Sequence, residues 1–248
     1  MESLFRCLAW VLTAVLWTVL LGVPLALQIP PALAAPWVLI SLAAFAWLYL
    51  WRRDPAARRA LWRSFRLTPT HLHFSWLALA AIATSALNVS CALLLVPQSE
   101  SSGAELIEKY LALPGGFALM ALVVLVYSPV VEETIFRGRL LPILRPSLGR
   151  VGAIVTSAAL FAALHGGQVG GMVGRFALGL AAGAVVLASG SLWAAIAIHV
   201  VNNGVALLFF QTAAPPSLGA PYALLAVVLS GTSLALALRG LAHASGAA

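Results

Sequence analysis

Two adjacent glutamates, Glu132 and Glu133, lie in an apolar stretch of the chain and are followed by Arg137. In a helix, residues four positions apart share a face, so Glu133 and Arg137 can form an ion pair. Glu132 points about 100° away from that face, and the pair does not neutralise it. A carboxylate without a fixed cation can take a proton from water, which makes Glu132 a candidate general base. The alternative interpretation is a charge cluster at the membrane interface.

Two histidines and an asparagine interrupt other apolar stretches. His165 and His199 lie in or at the end of such stretches, and Asn203 follows His199 by one helical turn. Ionisable residues inside a membrane are costly and usually functional. The spacing of His199 and Asn203 places an imidazole and an amide side by side, where both could donate hydrogen bonds to a developing oxyanion. Hydrogen-bonded packing between helices is the structural alternative for both histidines.

The elements that must position these residues are membrane-spanning helices. The chain has 248 residues, of which 62% are apolar and 8% charged, against about 25% charged residues in soluble domains. Its hydrophobicity also excludes intrinsic disorder. A membrane span takes about 20 apolar residues, which predicts an all-α, polytopic transmembrane helical bundle of about eight spans. The apolar runs are 7–29, 35–51, 74–96, 115–135, 151–165, 173–189, 191–211 and 220–238.

The basic residues lie between the apolar runs, so the net charge of +7 indicates membrane topology and not nucleic-acid binding. With alternating spans, 12 of the 14 basic residues fall on one side, which predicts that both termini are cytoplasmic. The basic residues assigned to the cytoplasmic side are Arg6, Arg52, Arg53, Arg58, Arg59, Arg63, Arg66, Arg137, Arg139, Arg145, Arg150 and Arg239.

The apolar stretch 7–28 is too long for the hydrophobic region of a signal peptide, although Ala32-Leu33-Ala34 resembles a cleavage site. We therefore expect that the first helix is retained. We place the protein in the inner (plasma) membrane of a bacterium.

The polar segments resemble the three motifs of the CPBP family of intramembrane proteases, which includes the CAAX prenyl endopeptidases and the bacterial Abi proteins. The resemblance covers about residues 115–211. The apolar runs predict N-terminal transmembrane helices over 1–110, three spans without a recognised motif. The resemblance implies a catalytic helical core over 111–215, and a C-terminal transmembrane helix with a short tail follows over 216–248, together one integral membrane domain. The family motifs EExxxR, FxxxH and HxxxN read here as Glu132-Glu133-Thr-Ile-Phe-Arg137, Phe161-Ala-Ala-Leu-His165 and His199-Val-Val-Asn-Asn203.

The resemblance implies hydrolysis of a peptide bond within the membrane by a glutamate-activated water. Glu132 would act as the general base and His165 would help to hold the water. His199 and Asn203 would stabilise the oxyanion, while Glu133 and Arg137 would orient the site. No cofactor is expected. Should a metal be present, zinc on Glu132, His165 and His199 is the alternative. The expected partners are membrane lipid and a membrane-associated protein or peptide substrate, such as a C-terminal tail, with no nucleic acid.

Two other functions fit some of the same residues. One is a non-catalytic immunity or scaffold protein of the same fold. The other is a proton or ion transporter, for which buried Glu, His and Asn are also suited, although no internal repeat is visible. One discrepancy concerns depth, because Glu132 lies near the cytoplasmic end of its run and His165 lies deep in the next. They can meet only if the fourth helix extends past Arg137 or the fifth begins outside the bilayer.

Overall fold

The computed structural model is a bundle of α-helices, and no strand occurs among the residues that it describes. These residues are 2–27, 29–51, 55–56, 59, 74–95, 109, 111–165, 169–211 and 220–244. The prediction of an all-α membrane bundle is thereby confirmed. Six of the helices are α1 (Glu2–Ala26), α2 (Pro31–Phe45, continued by a π-turn at Ala46–Trp51), α3 (Phe74–Leu95), α6 (Val169–Ser189), α7 (Leu192–Gln211) and α8 (Ala220–Ala244).

Between α3 and α6 the chain forms a helical hairpin, with α4 at 116–148 and α5 at 150–165. Gly149 separates the two arms with φ 68° and ψ −176°, a backbone conformation that glycine adopts most readily. The arms run antiparallel, because the ring of Phe136 packs edge-on against that of Phe161 with centroids 5.2 Å apart. Of the two ways to bring Glu132 close to His165, the structure therefore uses the longer fourth helix.

The length of α4 corrects the loop assigned to Arg137 and Arg139. Both residues lie inside the helix, and Arg137 is fully buried. The fourth apolar run ended too early in the sequence because Glu132, Glu133 and Arg137 interrupt its hydrophobicity, although their mutual contacts let the helix continue. Arg145 and Arg150 are exposed near the tip of the hairpin, so they still fit the loop expected there.

The part of α4 that carries the two glutamates, Ser128–Ile135, lies between π-turns at Val123–Tyr127 and Phe136–Leu140. In the first π-turn the Ser128 N–H bonds to the carbonyl oxygen of Val123, five residues back. The next residue, Pro129, has no N–H. The carbonyl oxygen of Val124 is therefore left without a helical donor from either residue, and it is open to a side chain from another helix.

Small residues allow the helices to approach closely, as is common in membrane bundles. A side-chain carbon added to Gly179 of α6 would lie 2.8 Å from the Cα of Ala158 in α5. At Gly240 of α8, an added carbon would lie 2.4 Å from the Trp76 ring of α3. The α3 helix packs against α6, α7 and α8, and α1 packs along the α4–α5 hairpin.

Length and composition make five described segments candidate membrane spans, and two shorter apolar helices accompany them at Phe5–Trp17 and Leu192–Leu208. One candidate, Gly116–His165, is the whole α4–α5 hairpin. Each of the eight predicted apolar runs therefore corresponds to a helix or to one arm of the hairpin. The side of the membrane on which each terminus lies remains a prediction. The five candidates are Pro31–Leu48, Phe74–Cys91, Gly116–His165, Gly171–Ser189 and Pro221–Ala244.

Candidate active site

Glu132 lies where α4, α5 and α7 meet. Its Oε2 atom is 3.4 Å from Nε2 of His165 and 3.8 Å from Nε2 of His199. Its other oxygen, Oε1, accepts a hydrogen bond from the hydroxyl of Ser128, one turn earlier on α4. The Glu132 side chain is 15% exposed and that of His165 is 27% exposed. The Glu132 side chain is therefore largely enclosed, and its Oε2 atom is buried.

The second ring nitrogen of each histidine is held by an acceptor. Nδ1 of His165 lies 2.8 Å from the carbonyl oxygen of Phe161, and Nδ1 of His199 lies 2.8 Å from Oε1 of Glu133. Carbonyl and carboxylate oxygens only accept hydrogen bonds, so each Nδ1 carries a hydrogen and donates it. Each Nε2 is thereby directed at Glu132. In a neutral imidazole that Nε2 is an acceptor, so a water lying among these three acceptor atoms could donate its two hydrogens to two of them.

Glu133 and Arg137 form the ion pair expected from their spacing. Nη1 of Arg137 is 3.0 Å from Oε1 of Glu133, and both side chains have 0% exposure. Nη2 donates to the carbonyl oxygen of Gly179 at 3.1 Å, which ties α4 to α6. The guanidinium carbon also lies 4.7 Å from the centre of the Phe161 ring, within cation–π range. Glu133 Oε1 therefore serves Arg137 and the His199 imidazole together.

Phe161 contributes both a backbone atom and a ring to the site. Its ring centroid is 4.6 Å from that of His165 and 5.8 Å from that of His199. The ring therefore separates the two imidazoles from the Arg137 guanidinium while touching all three. This packing restricts the orientation of both imidazoles in addition to their hydrogen bonds.

Asn203 lies one turn after His199 on α7 but uses its amide elsewhere. Its Nδ2 donates to the carbonyl oxygen of Val124 at 2.8 Å, the oxygen left without a helical donor by Pro129. Its Oδ1 accepts from Nδ2 of Asn202 at 3.4 Å. Within the described part of the chain, no contact of Asn203 with Glu132, His165 or His199 is seen. Five of the six residues proposed from the sequence thus share one contact network, and Asn203 borders it.

Three residues near Glu132 were missed by the sequence analysis. Ser128 could have been found, because it precedes Glu132 by four residues and so shares its helical face. Ala14 and Trp17 of α1 could not, because nothing in an apolar helix indicates which neighbour it will cover. With Ser128, Glu132 and His165 they line one cavity, whose other walls are Val131, Ile135, Phe136 and Leu164.

Glu132, His165 and His199 have the chemistry of a zinc ligand set, and the acceptors on both Nδ1 atoms resemble the outer partners of zinc-bound histidines. However, no group of three or more His, Cys, Asp or Glu side chains in the described ranges is arranged to hold a metal ion. The arrangement thus does not fit zinc as it stands, and the reaction is derived below from the groups of the chain itself.

Comparison with known protein families gives one match. Residues 114–205 match the family described as type II CAAX prenyl endopeptidase Rce1-like, and this range contains all seven specified residues of the three motifs. No curated protein and no solved structure matches the chain significantly. The family is one of membrane proteases, in agreement with the apolar helices of an integral membrane protein. Residues 114–205 of the chain are therefore similar to the type II CAAX prenyl endopeptidase Rce1-like family.

Proposed function

We propose that the protein is an intramembrane endopeptidase that hydrolyses a peptide bond in a membrane-associated protein or peptide, with water activated by Glu132. The observation that carries this proposal is the convergence of two histidine Nε2 atoms on Oε2 of Glu132, at 3.4 and 3.8 Å. The convergence joins residues from three separate helices, which an interfacial charge cluster on one helix does not require.

In the first step, Oε2 of Glu132 takes a proton from a water molecule while the water oxygen attacks the substrate carbonyl carbon. Nε2 of His165, with its lone pair free in the neutral imidazole, accepts the other hydrogen and holds the water in place. The electrons of the carbonyl double bond move onto its oxygen and form the oxyanion. The C–N bond then breaks, and the proton held by Glu132 passes to the departing amine.

His199 is suited to stabilise the oxyanion if it carries a second proton. Because Nδ1 of His199 already donates to Glu133, a second proton on this imidazole would lie on Nε2 and make that atom a donor. Asn203 supplies a second donor through the Nδ2 hydrogen that Val124 does not use. Donors placed in advance for an oxyanion are a large source of catalysis.

A small cavity between α1 and the hairpin reaches Glu132 and His165, and Ala14 and Trp17 belong to its lining. The rest of the lining is apolar except for Ser128. The cavity has room for about one water molecule, so it suits the water that Glu132 activates, whereas an extended peptide segment such as a C-terminal tail does not fit into it as it stands. The transporter alternative is weaker, because the acid–base groups gather around one carboxylate and do not form a path across the bundle.

The direct test compares the wild-type protein with Glu132→Gln in proteoliposomes. The substrates are a farnesylated peptide ending in a CAAX sequence, with a fluorophore and quencher on either side of the expected cleavage site, and the same peptide without lipid. Glu132→Gln keeps the side-chain volume but removes the base, so we expect cleavage to fall by about 10²–10⁴ or more. Glu2→Gln makes the same chemical change at the start of α1 and should cleave at the wild-type rate.

Equal cleavage by wild type and Glu132→Gln would refute the proposed role of Glu132. Absence of cleavage of both peptides by the wild-type protein would count against an endopeptidase of this specificity. Proton flux without cleavage in the same proteoliposomes would favour the transporter alternative.

A further inference from the structure

Three asparagine side chains connect α3 to the active-site helices. Nδ2 of Asn88 donates to Oδ1 of Asn202 at 3.1 Å, and Nδ2 of Asn202 donates to Oδ1 of Asn203 at 3.4 Å. Nδ2 of Asn203 then donates to the carbonyl oxygen of Val124 at 2.8 Å. The series, here called the amide relay, therefore runs from α3 through α7 to α4.

The amide relay has one direction, and this direction fixes how the Asn203 amide is turned. The Val124 oxygen needs a donor because Pro129 has no N–H to offer. The nitrogen of Asn203 meets that need, which leaves its oxygen for Asn202. At the other end, the nitrogen of Asn88 binds the oxygen of Asn202, so the nitrogen of Asn202 is left for Asn203. The Asn203 amide is therefore held from two sides, by Val124 and, through Asn202, by Asn88.

The bundle makes specific room for Asn88. A side-chain carbon added to Gly174 of α6 would lie only 1.8 Å from Oδ1 of Asn88, so this contact requires glycine. Asn202 is 4% exposed, and unpaired amides are expensive in a membrane interior. The half-buried Asn88 of α3 is therefore accommodated between the helices by matching features of α6 and α7.

We propose that Asn88 is a positioning residue for peptide hydrolysis, which acts through Asn202 to keep the nitrogen of Asn203 turned toward the oxyanion. This inference rests on the proposed function. If the Asn203 amide were flipped, it would present an oxygen lone pair to a negatively charged oxygen and repel it. Asn88 thus gives the N-terminal helices, which carry no family motif, a role in the chemistry.

The kinetic test uses Asn88→Ala, with Ser85→Ala as the matched control. Ser85 lies on the same helix and is more deeply buried than the half-buried Asn88, but its hydroxyl bonds to the carbonyl oxygen of Ala81. Loss of one oxyanion donor typically lowers kcat by about 10²–10³. Because Asn88→Ala only misorients that donor, we expect kcat to fall about tenfold or more, with KM unchanged. Ser85→Ala should keep the wild-type kcat.

A second comparison separates positioning from general destabilisation. Asn88→Ala is combined with Asn203→Ala, where the donor is already missing. If Asn88 acts through Asn203, its loss should lower kcat no further in that background. A similar fall of kcat in both backgrounds would mean that Asn88 supports the fold only, and the proposal would be overturned.

A third measurement needs no activity. In protein labelled with ¹⁵N at asparagine, the side-chain amide signals of Asn203 should shift in Asn88→Ala and remain in place in Ser85→Ala. Unchanged Asn203 signals in Asn88→Ala would refute the amide relay itself. Shifted signals in a protein that cleaves neither peptide would leave the relay standing as structure but overturn its catalytic role, together with the proposed function. An active enzyme in which Asn88→Ala matches Ser85→Ala would overturn the relay proposal alone.

Discussion

Glu133 serves two partners through a single carboxylate oxygen. Oε1 accepts from Nη1 of Arg137 at 3.0 Å and from Nδ1 of His199 at 2.8 Å. Glu132, the preceding residue, contacts neither Arg137 nor Gly179 among the described hydrogen bonds and ion pairs and faces the two Nε2 atoms instead. Adjacent residues of one type thus have different tasks, because one residue step along a helix turns the side chain by about 100°.

We predict different effects for the two glutamates on stability. Glu133→Gln leaves the buried Arg137 without its counter-charge, so it should lower the free energy of unfolding by about 3–5 kcal/mol. Combining it with Arg137→Met removes the unpaired charge and should recover part of that loss. Glu132→Gln should leave the fold largely intact. The measurement is unfolding of the purified variants in detergent, and equal, mild effects at both glutamates would contradict this division of tasks.

Gly179 of α6 contacts both arms of the hairpin next to the active site. Gly179 offers its carbonyl oxygen to Arg137 and its bare Cα to Ala158. The same residue therefore permits close helix packing and receives one arm of the guanidinium. Neither task can be read from the sequence, because both depend on which face of α6 meets the hairpin.

We predict that Gly179→Ala will be destabilising and will lower activity. The new methyl group would lie 2.8 Å from Ala158 and 3.3 Å from Nη2 of Arg137, so α6 must move away and take the carbonyl oxygen with it. Overpacking of this kind typically costs about 1–3 kcal/mol. Gly231→Ala on α8 is the matched control, because nothing lies within 4 Å of its added methyl group. The control should keep the wild-type unfolding temperature in detergent and the wild-type cleavage rate. If Gly179→Ala also leaves both unchanged, the close contact between Gly179 and Ala158 is disproved.

For the molecule as a whole, we predict that the segment between α3 and α4 lies outside the cytoplasm. The expectation follows from the concentration of arginines in the other loops. It rests on Arg6, Arg145, Arg150, Arg239 and the 52–66 loop once Arg137 and Arg139 are assigned to the interior of α4. Reporter fusions after Ser101, in the loop outside the described residues, and after Arg239 should give opposite signals. A cytoplasmic signal at Ser101 would show that the predicted location of this segment is wrong.

Much of the architecture could be predicted from the chain because membrane helices leave a strong apolar signal. The end of the fourth helix could not, because charged residues that neutralise one another look like a loop in a hydropathy pattern. The residues with acid–base chemistry could also be predicted, since few polar side chains interrupt the apolar runs. The amide relay and the contact of Ala14 and Trp17 with the active-site cavity could not be predicted. Both depend on tertiary contacts of helices without motifs, such as that of Asn88 with Asn202, and such contacts leave no local pattern in the sequence.

The position of Gly149 also sets the order in which the site is assembled during synthesis. Glu132 lies 17 residues before it and His165 lies 16 residues after it, so the closing of one hairpin brings the two together. Asn203 follows His165 by a further 38 residues, which takes about 2–8 s at the usual rate of translation. Under the proposed function, the nascent chain in that interval holds the pair that would activate water but neither of the groups that would stabilise the oxyanion. We therefore expect that an unfinished chain cannot cleave neighbouring membrane proteins before α7 joins the bundle.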